Sequence, residues 1–282
     1  MLFLYLDCRK IMEQTYDNIA TWVQGQLLRG RHIFSQEEVW KVFPTITHEN
    51  VTRSLTRLCS RKILIAPMQG FYVILPTDFR LKGITPPVFY IDQLMRFMNR
   101  QYYVGLLNAA AFYGASHQRV QTFYCIVDGG PIRSIHRKGI DIEFHRKAQI
   151  PVGFMRQFKT QMGTVNVSSP CLTALDLILF EQEIGGLTRA ATVLAELVEE
   201  MRWSEQPVEL LNSFNTPIVQ RLGYILEYVL EEEQAAEELF ALLKASGRPF
   251  RKVVLKTAKS ETEYSENRWK IIDNQPIEID EI

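Results

Sequence analysis

Apolar positions in the first eighty residues fall into three helical stripes followed by two short extended runs. Ile19, Trp22, Val23 and Leu27, with Gln26 among them, predict a first helix over residues 15–28, stopped by Gly30. Ser35 followed three residues later by Glu38 is a capping box, and Phe34 with Val39 supplies the hydrophobic staple. A second helix therefore starts at Ser35 and runs to about Val42, before Pro44. Val51, Leu55 and Leu58 are spaced at i, i+4 and i+7, which predicts a third helix over residues 47–62 with Thr47 as its cap. Residues 63–65 and 71–75 are apolar runs around the turn Pro67-Met68-Gln69-Gly70 and read as a hairpin. Three helices, each too short to be stable alone, followed by a hairpin make a winged helix-turn-helix with one shared core.

Pro76, Gly83, Pro86 and Pro87 then give residues 76–87 the composition of a linker, and a domain boundary is expected near residue 82. Beyond it the pattern mixes strands and helices. Residues 91–100 carry an apolar side, 102–104 form a short strand, and 106–113 form an alanine-rich helix closed by Gly114. Residues 121–127 are a strong strand, 139–144 alternate apolar and acidic positions, and 164–168 form a further strand. Ser169-Pro170 starts a helix through Leu172, Leu175, Leu179 and Phe180 that carries Asp176 among apolar neighbours. From Gly185-Gly186 onward helices dominate, one of them opened by Thr216-Pro217. Residues 251–256 read as an edge strand, 269–272 as a last strand, and 278–282 as a frayed acidic tail. The expected fold class is α+β, with a winged helix-turn-helix domain over residues 1–82 and a mixed α/β domain with a helical C-terminal part over residues 83–282.

Composition adds one asymmetry. The chain has 282 residues, 46% hydrophobic and 23% charged, as a folded protein with a sizeable core does. Net charge is zero, yet residues 1–80 carry 10 Lys and Arg against 7 Asp and Glu, residues 81–160 carry 11 against 4, and the remainder 11 against 21. A basic front and middle suggest an anionic partner. Cys8, Cys59, Cys125 and Cys171 are too far apart for a metal-binding pair and read as reduced thiols of a cytoplasmic protein. The apolar start at residues 1–6 is too short to span a bilayer, so no membrane partner is expected, and residues 1–11 read as an extension before a working start at Met12.

The polar side of the third predicted helix carries the candidate chemistry. Arg53, Arg57 and Arg61 recur every four residues, so their guanidinium groups form a column about 6 Å apart per turn. Such a face suits a major groove, where arginine pairs phosphates or reads guanine and short side chains let the helix approach closely. The expected DNA contacts are His48, Asn50, Thr52, Arg53, Thr56, Arg57, Arg61 and Lys62, with Gln69 at the wing tip. The same face would suit a solvated surface helix or a protein contact. A second basic surface is expected at Arg133, Arg137, Lys138, Arg146 and Lys147; it either meets a nucleic acid or a protein or balances the acidic rear. No G-x-S-x-G, H-E-x-x-H or phosphate-binding glycine loop occurs. His117, His136 and His145 lack metal-ligand spacing, and Asp141 with Glu143 reads as a wet strand face. No catalytic group, metal or cofactor is expected. Asp176 is expected to bond a backbone group or cap, because a lone buried carboxylate is costly.

Several motifs taken together resemble one family. They are Tyr102-Tyr103-Val104 followed by the Ala-x-x-x-x-Gly helix to Gly114, the strand 122–127, Val165-Asn166-Val167-Ser168-Ser169-Pro170 leading to Thr173-Ala174-Leu175-Asp176-Leu177, and Asn267-Arg268-Trp269-Lys270-Ile271. With the winged helix before them, they are similar over nearly the whole chain to the AbiEi family, the antitoxins and transcriptional regulators of bacterial abortive-infection type IV toxin–antitoxin systems. The resemblance implies an N-terminal domain that represses its own operon by binding double-stranded operator DNA. It also implies a C-terminal domain that neutralises a nucleotidyltransferase-like toxin. Several members have a strongly basic C-terminal domain, whereas here only residues 81–160 are basic. A homodimer is expected, since two half-sites raise affinity. The alternatives are a metal-dependent enzyme acting on nucleic acid, with the winged helix as its targeting module, and an adaptor whose winged helix contacts protein.

Overall fold

The computed structural model describes residues 16–115, 120–137, 139–255, 266–274 and 276–277. The expected extension at residues 1–11, together with His117, Arg119, Lys138 and the tail 278–282, lies outside them. The described residues divide into two compact units. The first lies within Met1–Met98 with Ile135–Ile140 and Thr160–Gly163, and the second within Asn99–Ser134, Asp141–Lys159 and Thr164–Ile282.

In the first unit the order is α1 (Ile19–Leu28), β1 (Ile33–Ser35), α2 (Gln36–Val42), α3 (His48–Ser60), β2 (Leu64–Met68) and β3 (Phe71–Ile74). Asn18 caps α1 by accepting from the Thr21 N–H at 3.0 Å. Both halves of the expected capping box form on α2: Glu38 N–H donates to Ser35 Oγ at 3.2 Å, and Ser35 N–H donates to Glu38 Oε1 at 3.1 Å. Thr47 caps α3 as expected. Ile19, Trp22, Val39, Val51, Leu55, Leu58 and Leu64 meet in one core, so each short helix is held by packing rather than by propensity.

The three strands pair antiparallel in the order β1-β3-β2. Strand β1 has too few residues for a period-two signal and exists because β3 pairs with it. Phe34, expected to staple the start of α2, sits at its centre opposite Tyr72. Its ring meets Trp22 edge-on at 5.0 Å and stacks on Tyr72 at 5.6 Å. Strand β2 runs two residues into the expected turn, to Met68, with a register break between Ile65 and Met68 that accommodates Pro67, which has no N–H for the ladder. Gly70, at φ +80°, makes the tight reversal into β3. The unit continues past residue 82, through a single turn at Thr77–Arg80, to α4 (Ile91–Phe97).

The second unit contains β4 (Tyr102–Val104), α5 (Leu106–Phe112), β5 (Phe123–Val127) and, but for their end residues Ile140, Thr160 and Gly163, β6 (Ile140–Arg146), β7 (Met155–Thr160) and β8 (Gly163–Ser168). Within this unit the strand order is β6-β5-β4-β8-β7, part of a sheet of six strands that also includes Ile135–Arg137. Strands β4 and β5 are antiparallel, whereas β5 with β6 and β4 with β8 are parallel. Every residue of β4 and β5 is buried, which accounts for their uninterrupted apolar runs. In β6, Ile140, Ile142 and Phe144 are buried while Asp141 and Glu143 are half-exposed, the alternation expected there. Strand β7 carries Arg156, Gln157 and Lys159 at an edge, so it showed no apolar pattern to read.

The longer helices of this unit are α6 (Pro170–Leu179), α7 (Leu187–Leu197), α8 (Thr216–Tyr224) and α9 (Glu233–Ala245), with a single turn at Glu181–Ile184 between α6 and α7. Ser169 caps α6, with Pro170 at its first position, and all residues from Pro170 to Ile178 are buried. Helix α8 passes into a π-helical stretch, Ile225–Val229. Strands β9 (Val253–Val254) and β10 (Ile271–Ile272) pair in parallel and carry Trp269 into the core. No helix among the described residues is long and apolar enough to cross a membrane. Cys59, Cys125 and Cys171 are free thiols.

Candidate nucleic-acid interface

Helix α3 buries Val51, Leu55 and Leu58 and turns the opposite side to solvent. His48, Asn50, Thr52, Arg53, Thr56, Arg57, Arg61, Lys62 and, in the β2–β3 turn, Gln69 are all exposed. Thr52, Thr56 and Ser60 donate their hydroxyls to the carbonyls of His48, Thr52 and Thr56 at 2.9, 2.9 and 3.1 Å. Each hydroxyl oxygen keeps its capacity as an acceptor. Thr52 is already engaged, because Gln36 Nε2 donates to its Oγ1 at 2.7 Å and so ties α2 to α3. The His48 ring stacks on Trp40 with centroids 4.0 Å apart, a second α2–α3 contact. Sequence reasoning missed Gln36 and Trp40 because both act across the turn between helices, where no spacing rule applies.

The cations of this face are not equivalent. Arg53 reaches Glu49 one turn back at 2.7 Å, with both side chains mostly exposed. Such a pair contributes at most about 0.5 kcal/mol, so a phosphate can displace the carboxylate. Lys62 has left-handed backbone, φ +56°, and gives one donor to the Leu81 carbonyl at 3.0 Å. Arg57 and Arg61 have no acidic partner among the described residues, which leaves both guanidinium groups available.

The residues expected to form a second basic surface differ in their surroundings. Arg137 belongs to the first unit, where its Nη1 donates to the Ala66 carbonyl of β2 at 2.9 Å. Arg133 and Arg146 belong to the second unit, and Arg146 Nε donates to the Gly129 carbonyl at 3.0 Å. Lys147 must be corrected outright. It follows the end of β6, its N–H donates to the Val127 carbonyl, and its side chain is only 5% exposed. The Nζ lies 2.5 Å from Asp176 Oδ1 and 3.8 Å from the Phe214 ring centroid. Asp176, expected to bond backbone or a cap, instead holds this ammonium and accepts from the Tyr103 hydroxyl at 2.6 Å. Burial pushes the Asp176 carboxyl up and the Lys147 ammonium down, and their mutual attraction opposes both shifts.

His145 stands beside this pair, its ring between Tyr124 and Phe180, and burial lowers its pKa. Asp141 accepts from Thr122 Oγ1 at 2.7 Å, and Glu143 accepts from Ser134 Oγ. Among the described residues no group of three His, Cys, Asp or Glu side chains is placed to hold a metal ion.

Residues 103–228 match the model of the AbiEi antitoxin C-terminal domain, a segment that opens on Tyr103 and contains Lys147 and Asp176. No curated protein matches the chain. Among solved structures, the RV2827C protein from Mycobacterium tuberculosis shares the fold at a TM-score of 0.63 and 15% identity, over 89% of each chain. An antigenic nucleotidyltransferase-like protein from Paracoccidioides brasiliensis aligns at a TM-score of 0.35 and 12% identity, over 55% of this chain and 90% of that one.

Proposed function

Because residues 103–228 of the chain belong to the AbiEi antitoxin C-terminal domain family, we propose that the protein is the antitoxin of a type IV toxin–antitoxin pair and the repressor of its own operon. The first unit acts as a winged helix-turn-helix: α3 enters the major groove of operator DNA, and Gln69 at the hairpin turn reaches the neighbouring backbone. The second unit neutralises a nucleotidyltransferase-like toxin, and the protein works in the cytoplasm as a homodimer on paired half-sites. The observation that carries the DNA reading is the outward face of α3, where Arg57 and Arg61 stand without an acidic partner among the described residues, beside the hydroxyls of Thr56 and Ser60. Arginines without structural duty on a helix that buries only its other side suit phosphate neutralisation.

The test is titration of the full chain against the duplex immediately upstream of its own reading frame, over a salt series. Replacing Arg57 and Arg61 by alanine is expected to flatten the slope of log K against log salt by about 1.8, at roughly 0.9 for each phosphate that is no longer neutralised. Melting temperature should not change. An unchanged slope removes α3 from the interface. For neutralisation, the neighbouring reading frame is expected to encode a nucleotidyltransferase-like protein whose growth arrest is relieved by co-expression of this chain. Arrest that persists overturns that half of the reading.

A further inference from the structure

Inside the first unit a cavity of about 360 Å³ lies beside α4 and the turn before β1. That is within the size range of small-molecule sites, roughly 300–1,000 Å³. Its apolar lining is Ile33, Phe34, Phe71, Phe97 and Met162. The Phe71 and Phe97 rings are 5.4 Å apart and tilted at 53°, and Phe97 is 42% exposed. Two polar atoms of lining residues, Nδ1 of His32 and Oε1 of Gln93, are buried with no hydrogen-bond partner among the described residues. The Gln93 amide is held in place, since its Nε2 donates to the Met162 carbonyl at 3.0 Å. Its oxygen is then an acceptor waiting for a donor, a costly condition for a buried group. The charges nearby are already paired, Arg31 with Glu38, so nothing in the cavity calls for a charged ligand.

We propose that this cavity binds a neutral, planar nitrogen heterocycle of one or two fused rings that carries an exocyclic amino group. The flat faces pack on the phenylalanines, the amino group donates to Gln93 Oε1, and a ring nitrogen bonds His32 Nδ1. The site is wired to α3. Phe71 pairs with Ser35, the cap of α2; Gln36 N–H donates to the Gly70 carbonyl at 2.8 Å; and the Gln36 side chain bonds Thr52. Occupancy therefore biases the hairpin and α3 together and changes affinity for DNA, a coupling that rests on the proposed DNA binding and is reciprocal.

Adenine is the probe, with purine, which lacks the amino group, and toluene as comparators, titrated calorimetrically into the full chain without DNA. Adenine is expected to bind saturably at one site and about tenfold more tightly than purine, the equivalent of one buried hydrogen bond. Gln93→Leu should weaken adenine by a similar factor. Phe97→Ala, at a partly exposed ring, should weaken it while leaving the melting temperature unchanged, and it decides the matter if Gln93→Leu does not fold. Absence of saturable adenine binding, equal affinity for purine, or wild-type affinity in Phe97→Ala overturns the site. Adenine binding with no shift in affinity for the upstream duplex overturns the coupling alone. Failure of the DNA reading itself is seen separately, as duplex binding indifferent to Arg57 and Arg61.

Discussion

Asp176→Ala is expected to cost about 3–5 kcal/mol of stability, read as a fall in the urea midpoint at unchanged m-value. The loss does not come from deleting a favourable contact. It comes from leaving the Lys147 ammonium buried at 5% side-chain exposure with no counter-charge. Removing both charges avoids that penalty, so Lys147→Met combined with Asp176→Leu should recover most of the loss, because a well-packed apolar replacement of a buried pair is often neutral. Tyr103→Phe removes one donor to the carboxylate and should cost about 1–3 kcal/mol. If Asp176→Ala alone is tolerated within about 1 kcal/mol, below the range for an uncompensated buried charge, the ion pair is not what holds this part of the core.

Gly223→Ala should be nearly as damaging. A Cβ at Gly223 would overlap the ring of Trp269, and that ring has nowhere to go. Trp269 is fully buried, donates Nε1–H to Glu227 Oε2 at 2.7 Å, and meets Phe240 edge-on at 5.1 Å. Arg268 beside it binds Glu227 at 2.5 Å and also Glu237. The expected outcome is expulsion of the indole, a loss of about 3 kcal/mol or more, and a red shift of tryptophan emission. Non-additivity checks the mechanism. In a Trp269→Ala background the added methyl has no ring to strike, so Gly223→Ala should then be nearly silent. Additive effects would place the damage elsewhere.

What the sequence disclosed follows from which contacts are local. The α3 stripe of Val51, Leu55 and Leu58, its Thr47 cap and the Ser35–Glu38 capping box were legible because each is written within one or two turns. The alternation in β6 was legible for the same reason. Strand β1 was not, because three residues carry no period and its pairing with β3 is made from across the unit. Lys147 misled because cations between strands are normally solvated. It lies one residue beyond the last position of β6, where alternation no longer tells inside from outside, and its partner Asp176 is on another element. Of the candidate interface, the exposed polar face of α3 could be read directly. The engagement of Thr52 by Gln36 and of Lys62 by the Leu81 carbonyl could not, since both depend on tertiary placement.

The seating of Trp269 also sets an order of events during synthesis. The core that receives the indole is built from residues as early as Tyr103, yet the ring that fills it is translated long after them. Until then the nascent second unit exposes apolar surface to solvent, a state open to chaperones and proteases. A message truncated upstream of codon 269 would yield a chain that never leaves that state.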